Sequence, residues 1–148
     1  MIRWLFAALH LLALGIGLGA VWARGRALRG SLDRVGLGRA FYADTWWGIA
    51  ALLWIATGLA RAFGGLEKGT LYYLHNHLFW LKMALLGLIL ALEVSPMVTL
   101  LRWRRELARG EQPNTSAAAR LARVSFLQAA LVGLMVLAAT ALARGYGM

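Results

Sequence analysis

The stretch Val124 to Ala143, VSFLQAALVGLMVLAATALA, decides the fold, because none of its residues is charged. An α-helix rises about 1.5 Å per residue, so about twenty apolar residues cross the hydrocarbon core of a bilayer, which is about 30 Å thick. Three further runs have similar length and polarity, namely residues 2–23, 45–63 and 76–101. The sequence therefore predicts four membrane-spanning helices.

The composition supports a membrane protein. Hydrophobic residues make up 61% of the 148 residues and charged residues 15%, and both values lie far from the averages of soluble domains. The alternating polar positions of a membrane β-barrel are missing. The prediction is therefore an all-α protein, a single domain that forms a four-transmembrane-helix bundle in contact with the lipid bilayer. The absence of cysteine excludes disulfides, iron–sulfur clusters and thiolate metal sites.

The basic residues predict how the helices are oriented. The net charge is +10, but most arginines lie in two short connectors, which is typical of membrane topology and argues against binding of nucleic acid. Because cytoplasmic loops are rich in Lys and Arg, both chain termini and the connector 64–75 are predicted to lie outside, in a multi-pass protein of the bacterial inner membrane. We interpret residues 2–23 as a span and not as a cleaved signal peptide, because the run is longer than a typical signal core. The connector arginines are Arg24, Arg26, Arg29, Arg34, Arg39, Arg102, Arg104, Arg105, Arg109, Arg120 and Arg123.

Ionisable residues inside the predicted spans are candidates for function, because they are costly in lipid unless they are paired or hydrated. His10 lies about 10–12 Å inside the outer boundary of the first span, given the helical rise of about 1.5 Å per residue. Lys82 lies at a similar depth in the third span. Close to the same boundary lie His75, His77 and Arg61. The alternative for His10 is a hydrogen bond to a neighbouring helix, and the alternative for the two cations is snorkelling towards water.

Helical periodicity groups some of these polar residues. At about 100° per residue, His75, Lys82 and Glu93 fall on one face of the third helix if that helix includes all three. Glu93 belongs to the opposite half of the membrane. We interpret it as a partner in a structural ion pair at that end, with a proton relay as the alternative. The charged residues that enter the membrane close to it are Arg24, Asp44, Arg102 and Arg123.

The histidine in the first span points to a cofactor. Imidazole is the usual axial ligand of b-type haem, and basic side chains at the membrane edge suit the haem propionates. These residue types predict non-covalent haem b on His10, with Lys82 and Arg61 beside the propionates. His77 and His75 compete for the second axial position. The predicted metal ligands are thus His10 and His77.

Glycines in the first span could make room for a flat cofactor or for a second helix. Gly17 lies on nearly the same face as His10 and leaves room for a flat cofactor. Gly15 and Gly19 form a G-x-x-x-G pair, which is typical of close helix packing or of a homodimer through the first helix. Tight helix packing is the alternative for Gly17 as well. In a symmetric dimer, one cofactor could receive a His10 from each protomer.

A set of short motifs runs along nearly the whole chain. The motifs are His10 to Leu14, Ala43-Asp44, Trp47 to Ala51, Thr57-Gly58-Leu59 with Arg61, Glu67-Lys68-Gly69, Tyr72 to Asn76, Phe79 to Met83 and Leu101 to Arg105. Together they resemble an uncharacterised family of small predicted bacterial membrane proteins, which implies four spans and no particular activity. More remotely, a histidine in the first span followed by a Phe-Trp-x-Lys element is similar to the copper-resistance D proteins and the HemJ-type protoporphyrinogen IX oxidases. That similarity implies haem b, with His10 as axial ligand and Lys82 as an essential cation.

Three functions are open at this point. The leading prediction is a homodimeric membrane protein that binds haem b and has a redox or haem-handling role. The second is an oxidoreductase that acts on a porphyrinogen or a quinol, with haem as electron acceptor and Lys82 orienting a carboxylate. The third is a non-catalytic structural subunit whose polar groups only fasten the helices together. The sequence does not decide whether the protein is an enzyme.

Overall fold

The computed structural model describes residues 1–65 and 70–147, and this part of the chain is helical without any strand. Four long helices are apolar enough to cross a membrane. The predicted all-α, four-span architecture is thereby confirmed. The motif residues Glu67, Lys68 and Gly69 lie outside the described residues. In chain order the helices are α1 (Ile2–Arg29), α2 (Arg34–Phe63), α3 (Thr70–Leu74), α4 (His77–Ala108) and α5 (Ala118–Ala143).

The long helices extend past the predicted spans at their arginine-rich ends. The connector between α1 and α2 consists only of residues 30–33, because Arg, Ala and Leu continue a helix as readily in water as in lipid. Asp33 caps α2, and its carboxylate accepts a hydrogen bond of 2.8 Å from the backbone N–H of Gly36. That hydrogen bond holds the pKa of Asp33 below its usual value. The apolar runs thus locate the spans but not the ends of the helices.

The connector between α2 and α4 contains the short helix α3, which hydropathy does not reveal. α4 starts at His77, and the side chain of Asn76 accepts a hydrogen bond of 2.9 Å from the N–H of Leu78 as its cap. His75 therefore precedes α4 and does not share a helical face with Lys82 and Glu93. The predicted three-residue stripe is wrong at that position, because the capped start of the helix interrupts the periodicity.

The helices pack as an open arc. α1 packs along α2 and α5, and α5 packs along α4, whereas α2 and α4 have hardly any close backbone contact. The arc therefore runs α2, α1, α5, α4. Its interior is apolar and includes Val21, Trp54 and Val132. Large exposed apolar side chains such as Leu52 and Leu137 cover the outside, as expected for a surface that faces lipid.

The two ends of the bundle differ in chemistry. We call the end where α1 begins and α5 ends the terminal end, because both chain termini lie there. The opposite end, with the connectors 30–33 and 109–117, is the arginine end. Near the arginine end a second apolar cluster forms around Leu37, Leu100 and Trp103. This division separates the two polar sites that are described next.

Candidate functional site

A cavity of about 350 Å³ lies in the terminal half of the bundle and is partly open. Side chains from all five helices line it, and its walls are mainly apolar. Three of the six predicted site residues, His10, Lys82 and Arg61, line this one cavity. Counting residues along the helices predicts a similar depth for His10 and Lys82. In the structure both side chains line the same cavity, although they are far apart in the chain. The other three predicted residues do not line this cavity.

His10 is held in a defined orientation. Its side chain is 8% exposed, and its Nδ1 atom lies 2.9 Å from the hydroxyl oxygen of Thr57 on α2. The hydroxyl oxygen of Thr57 also lies 2.7 Å from the carbonyl of Leu53 and 3.1 Å from that of Trp54, and either carbonyl can accept its single proton. When a carbonyl accepts the Thr57 proton, Nδ1 of His10 donates to the hydroxyl oxygen and Nε2 keeps its lone pair. A histidine in this state is ready to bind a metal or to accept a proton.

Two neighbours on α2 fix the position of the His10 ring. A Cβ atom on Gly58 would lie 3.1 Å from Cε1 of His10, so the glycine allows the α2 backbone to approach the ring edge. The indole of Trp54 lies against the imidazole with a centroid distance of 5.8 Å. The Nε1–H group of Trp54 is buried and has no hydrogen-bond partner among the described residues. The imidazole is thus clamped by glycine, threonine and tryptophan from one helix.

The cavity wall carries the cationic side chains of Lys82 and Arg61. Lys82 is half-buried and makes no hydrogen bond or ion pair with any residue in 1–65 or 70–147. Arg61 also lines the cavity. None of the described lining residues is Asp or Glu. Because an unpaired ammonium is costly in a bilayer, this arrangement favours a bound anion.

The structure adds wall residues that the sequence did not single out. Phe79, Met83 and Leu86 accompany Lys82 on the cavity face of α4, and Met135 contributes from α5. Spacings of three, four and seven residues from Phe79 place these α4 side chains on one helical face. That period was available in the sequence and could have identified this wall. The position of Thr57 opposite His10 had no such signal, because it depends on how α1 and α2 rotate against each other.

His75 and His77 lie away from the cavity. Nδ1 of His75 lies 2.8 Å from the carbonyl of Leu71, and the side chain is exposed. His77 is also exposed, and its backbone N–H donates to the carbonyl of Gly147 at 2.9 Å. Within the described residues, no group of three or more His, Asp or Glu could hold a metal ion. Neither histidine is placed to share a ligand with His10.

Gly17 lies where helices α1 and α2 pack. A Cβ atom at this position would lie 3.4 Å from Cβ of Ala50 and 3.5 Å from the Trp47 ring. Gly17 is not among the residues around the His10 cavity. Its surroundings favour the helix-packing interpretation over contact with a flat cofactor.

We expect Gly17→Leu to destabilise the fold by about 1–3 kcal/mol, because the larger side chain must push Trp47 and Ala50 aside. Gly48→Leu on α2 is the matched control, since a Cβ atom there meets nothing within 4 Å. Thermal unfolding of both variants in the same detergent measures the difference. Equal melting temperatures would contradict the packing role.

A second polar site joins four helices in the arginine half. The Arg24 side chain is 0% exposed and donates all five of its N–H groups to side-chain oxygens, a complete pairing of its donors. The acceptors are Glu93 (2.8 and 2.9 Å), Asp44 (2.8 Å), Ser125 (3.0 Å) and Gln128 (2.7 Å). The predicted structural ion pair of Glu93 is therefore confirmed, and the structure identifies Arg24 as its partner. Arg102 and Arg123 instead contact Glu106 and the Ala119 carbonyl.

The network extends to Trp47 and Arg104. One carboxylate oxygen of Glu93 accepts further hydrogen bonds from Trp47 at 3.0 Å and Gln128 at 2.8 Å. Arg104 donates to Asp44 at 3.0 Å, so two arginines balance two carboxylates. A charge-balanced cluster with this many hydrogen bonds fixes the positions of the helices. We therefore regard the arginine half as structural and the His10 cavity as the candidate functional site.

Comparison with curated proteins and with solved structures gave no match. The sequence profile of a family of predicted membrane proteins, designated DUF2214, matches residues 2–147. The match covers almost the entire chain, and the four long apolar helices agree with it. The resemblance to an uncharacterised membrane-protein family is thereby confirmed, and the similarity to copper-resistance D and HemJ-type proteins stays a prediction. The chain therefore belongs to the DUF2214 family of predicted membrane proteins.

Proposed function

We propose that this membrane protein binds haem b in the His10 cavity, with Nε2 of His10 as an axial ligand and a redox or haem-handling role. The observation that carries the proposal is the presence of His10, Lys82 and Arg61 on the wall of one cavity. The free lone pair of Nε2 supplies a ligand for ferrous or ferric iron. The two cations supply partners for carboxylates at the rim of a porphyrin.

The cavity suits this cofactor in three respects. Its apolar walls match the faces of a porphyrin, and its volume of about 350 Å³ lies within the range of ligand sites in proteins. The Thr57 hydroxyl fixes the His10 tautomer in the way that carbonyls and carboxylates fix metal-bound histidines. When bound, haem would supply one-electron redox chemistry, while His10 orients it and Lys82 and Arg61 neutralise its propionates.

We infer that the terminal end faces the outside of the bacterial inner membrane. The supporting observation is the concentration of arginines at the opposite end, in connectors 30–33 and 109–117 and the helix ends beside them. Cytoplasmic loops carry such an excess of Lys and Arg. The spans are proposed at about residues 2–23, 45–63, 76–101 and 124–143 of a single domain, since about twenty residues cross the bilayer. His10 then lies in the outer half of the membrane.

Absorption spectroscopy tests the haem proposal directly. The protein is expressed with full haem supply, purified in detergent and measured in its oxidised and reduced forms. We expect a Soret band and, on reduction, the sharper visible bands of a b-type haem, at a stoichiometry of one haem per chain. A colourless preparation that also fails to bind added haem would refute the proposal. That result would instead favour a structural subunit.

We also infer a homodimer through α1. A Cβ atom on Gly15 or Gly19 would meet nothing within 4 Å, so this face of α1 is open to a second helix. We expect the double variant Gly15→Leu and Gly19→Leu to halve the detergent-corrected mass measured by light scattering. Gly48→Leu is the control. An unchanged mass would contradict this interface.

The burial of His10 distinguishes two ways in which a dimer could hold haem. Its side chain is buried and bonded to Thr57 of the same chain. This burial favours one haem inside each protomer over a single haem shared between two copies of His10. A stoichiometry of one haem per two chains would contradict that arrangement.

A further inference from the structure

The cavity lies beside a gap between the backbones of α2 and α4, which we call the window. The helix arc ends at α2 and α4, which both contribute to the cavity wall. Their backbones have hardly any close contact, and their side chains meet towards the two ends of the bundle. Leu59 on α2 lines the cavity and is also 51% exposed. On a helix that spans a membrane, such exposure means contact with lipid. The cavity therefore has a lipid-facing residue in its α2 wall, on a helix that borders the gap to α4.

The window is bounded at both ends. Towards the terminal end, Phe63 and Phe79 join α2 to α4 in an edge-to-face contact with a centroid distance of 6.2 Å. Tyr73 packs on Phe79 at 5.5 Å and adds to this aromatic cover. Towards the arginine end, the indole N–H of Trp47 donates to Glu93 at 3.0 Å. The border of the window towards the terminal end is thus made of aromatic rings.

We propose that the cavity is loaded sideways from the membrane, through the gap between α2 and α4, by a lipid-dissolved amphiphile whose carboxylate pairs with Lys82. The inference rests on the proposed function in that both concern the same cavity, but it does not require iron. It names the class of ligand as a flat or extended apolar carboxylic acid. Haem b belongs to this class because it carries two propionates on an apolar ring.

Electrostatics explain why the ligand should be an acid. The Lys82 ammonium has no described protein partner, and the described residues around the cavity include no carboxylate. A carboxylate that arrives from lipid gains a charge-assisted hydrogen bond in a medium of low dielectric constant. A neutral amphiphile leaves the ammonium unpaired. Selection for acids therefore follows from Lys82 and not from the shape of the cavity.

A reversible cross-link across the window tests the route. Leu59→Cys on α2 and Met83→Cys on α4 introduce two thiols on the cavity wall, and the chain has no natural cysteine to interfere. The thiols are joined by a bismaleimide whose linker contains a disulfide. Each single-cysteine variant, blocked with N-ethylmaleimide, controls for the added bulk. The probe is metal-free protoporphyrin IX in phosphatidylcholine vesicles, followed by its fluorescence as it binds to the reconstituted protein.

We expect the cross-link to slow protoporphyrin IX binding by about tenfold or more, as closing a gate does, and reduction of the linker to restore the rate in the same sample. Binding at the same rate before and after cross-linking would overturn the lateral route.

A second experiment compares binding of protoporphyrin IX, a diacid, with binding of its dimethyl ester. We expect Lys82→Met to weaken binding of the diacid about tenfold to a hundredfold, as loss of a charged hydrogen bond does, and to leave the ester unchanged. Lys82→Arg should retain the preference for the diacid. Equal binding of the diacid and the ester to the unmodified protein would overturn the proposal that the ligand is a carboxylic acid.

The two proposals fail in different ways. If haem gives no Soret band but protoporphyrin IX binds through the window, the haem assignment is wrong and the lateral route stands. If haem binds and the cross-link has no effect, the haem assignment stands and the route is wrong. If neither porphyrin binds to the unmodified protein, both are refuted.

Discussion

Replacing Arg24 with methionine should destabilise the folded protein by about 3–5 kcal/mol, the cost observed when one partner of a buried ion pair is removed. The arginine is 0% exposed and is hydrogen-bonded to α2, α4 and α5. Methionine keeps most of the length of the side chain but offers no donor. Glu93 then loses two of the hydrogen bonds that it accepts. Gln128 and Ser125 each lose the hydrogen bond that they accept from Arg24.

Thermal unfolding in detergent, monitored by circular dichroism, measures this loss. Arg26→Met is the matched control, because Arg26 lies two residues further along α1 and is exposed. We expect the control to melt within a few degrees of the unmodified protein, since exposed charges contribute little. The structural role of the network would be contradicted if Arg24→Met and Arg26→Met melted at the same temperature.

Replacing His10 with alanine should abolish the Soret band of the purified protein while leaving its fold intact. The reason is the loss of the one imidazole among the described residues around the cavity. The controls are His75→Ala and His77→Ala, whose side chains are exposed and lie away from the cavity. We expect both controls to retain the band at full intensity.

Thr57→Val separates ligation from orientation. Valine has a similar shape but cannot accept the hydrogen bond from Nδ1 of His10, so the fixed tautomer is lost. We expect the Soret band to persist in this variant, with a shifted reduction potential and lower haem occupancy. A full Soret band in His10→Ala would show that another group binds the iron, and the proposed ligand would then be wrong.

Much of the fold was predictable from hydropathy alone. The uncharged run 124–143 and the three runs before it correspond to the long helices α1, α2, α4 and α5. Because a helix rises by a fixed amount per residue, depth could also be counted, and His10 and Lys82 were placed at the same level. The same reasoning predicted an ion pair for Glu93, and the structure selects Arg24 among the charged residues near it.

Other features depend on how the helices rotate and on which helices are neighbours. The hydrogen bond between His10 and Thr57 joins residues 47 positions apart, and no periodicity in either helix specifies it. Packing against Trp47 and Ala50 sets the face of α1 that meets α2. His75 was misplaced because a capping side chain at Asn76, and not hydropathy, starts α4. The gap between α2 and α4 likewise arises from tertiary packing.

The five-donor pairing of Arg24 has a consequence for biogenesis. When the ribosome has produced only α1, the guanidinium has none of these partners, so the inner segment of that helix must stay near lipid headgroups or water. Asp44 follows 20 residues later, but Glu93 is 69 positions away and Gln128 is 104 away. The five hydrogen bonds of Arg24 can therefore form completely only after the last helix has been inserted.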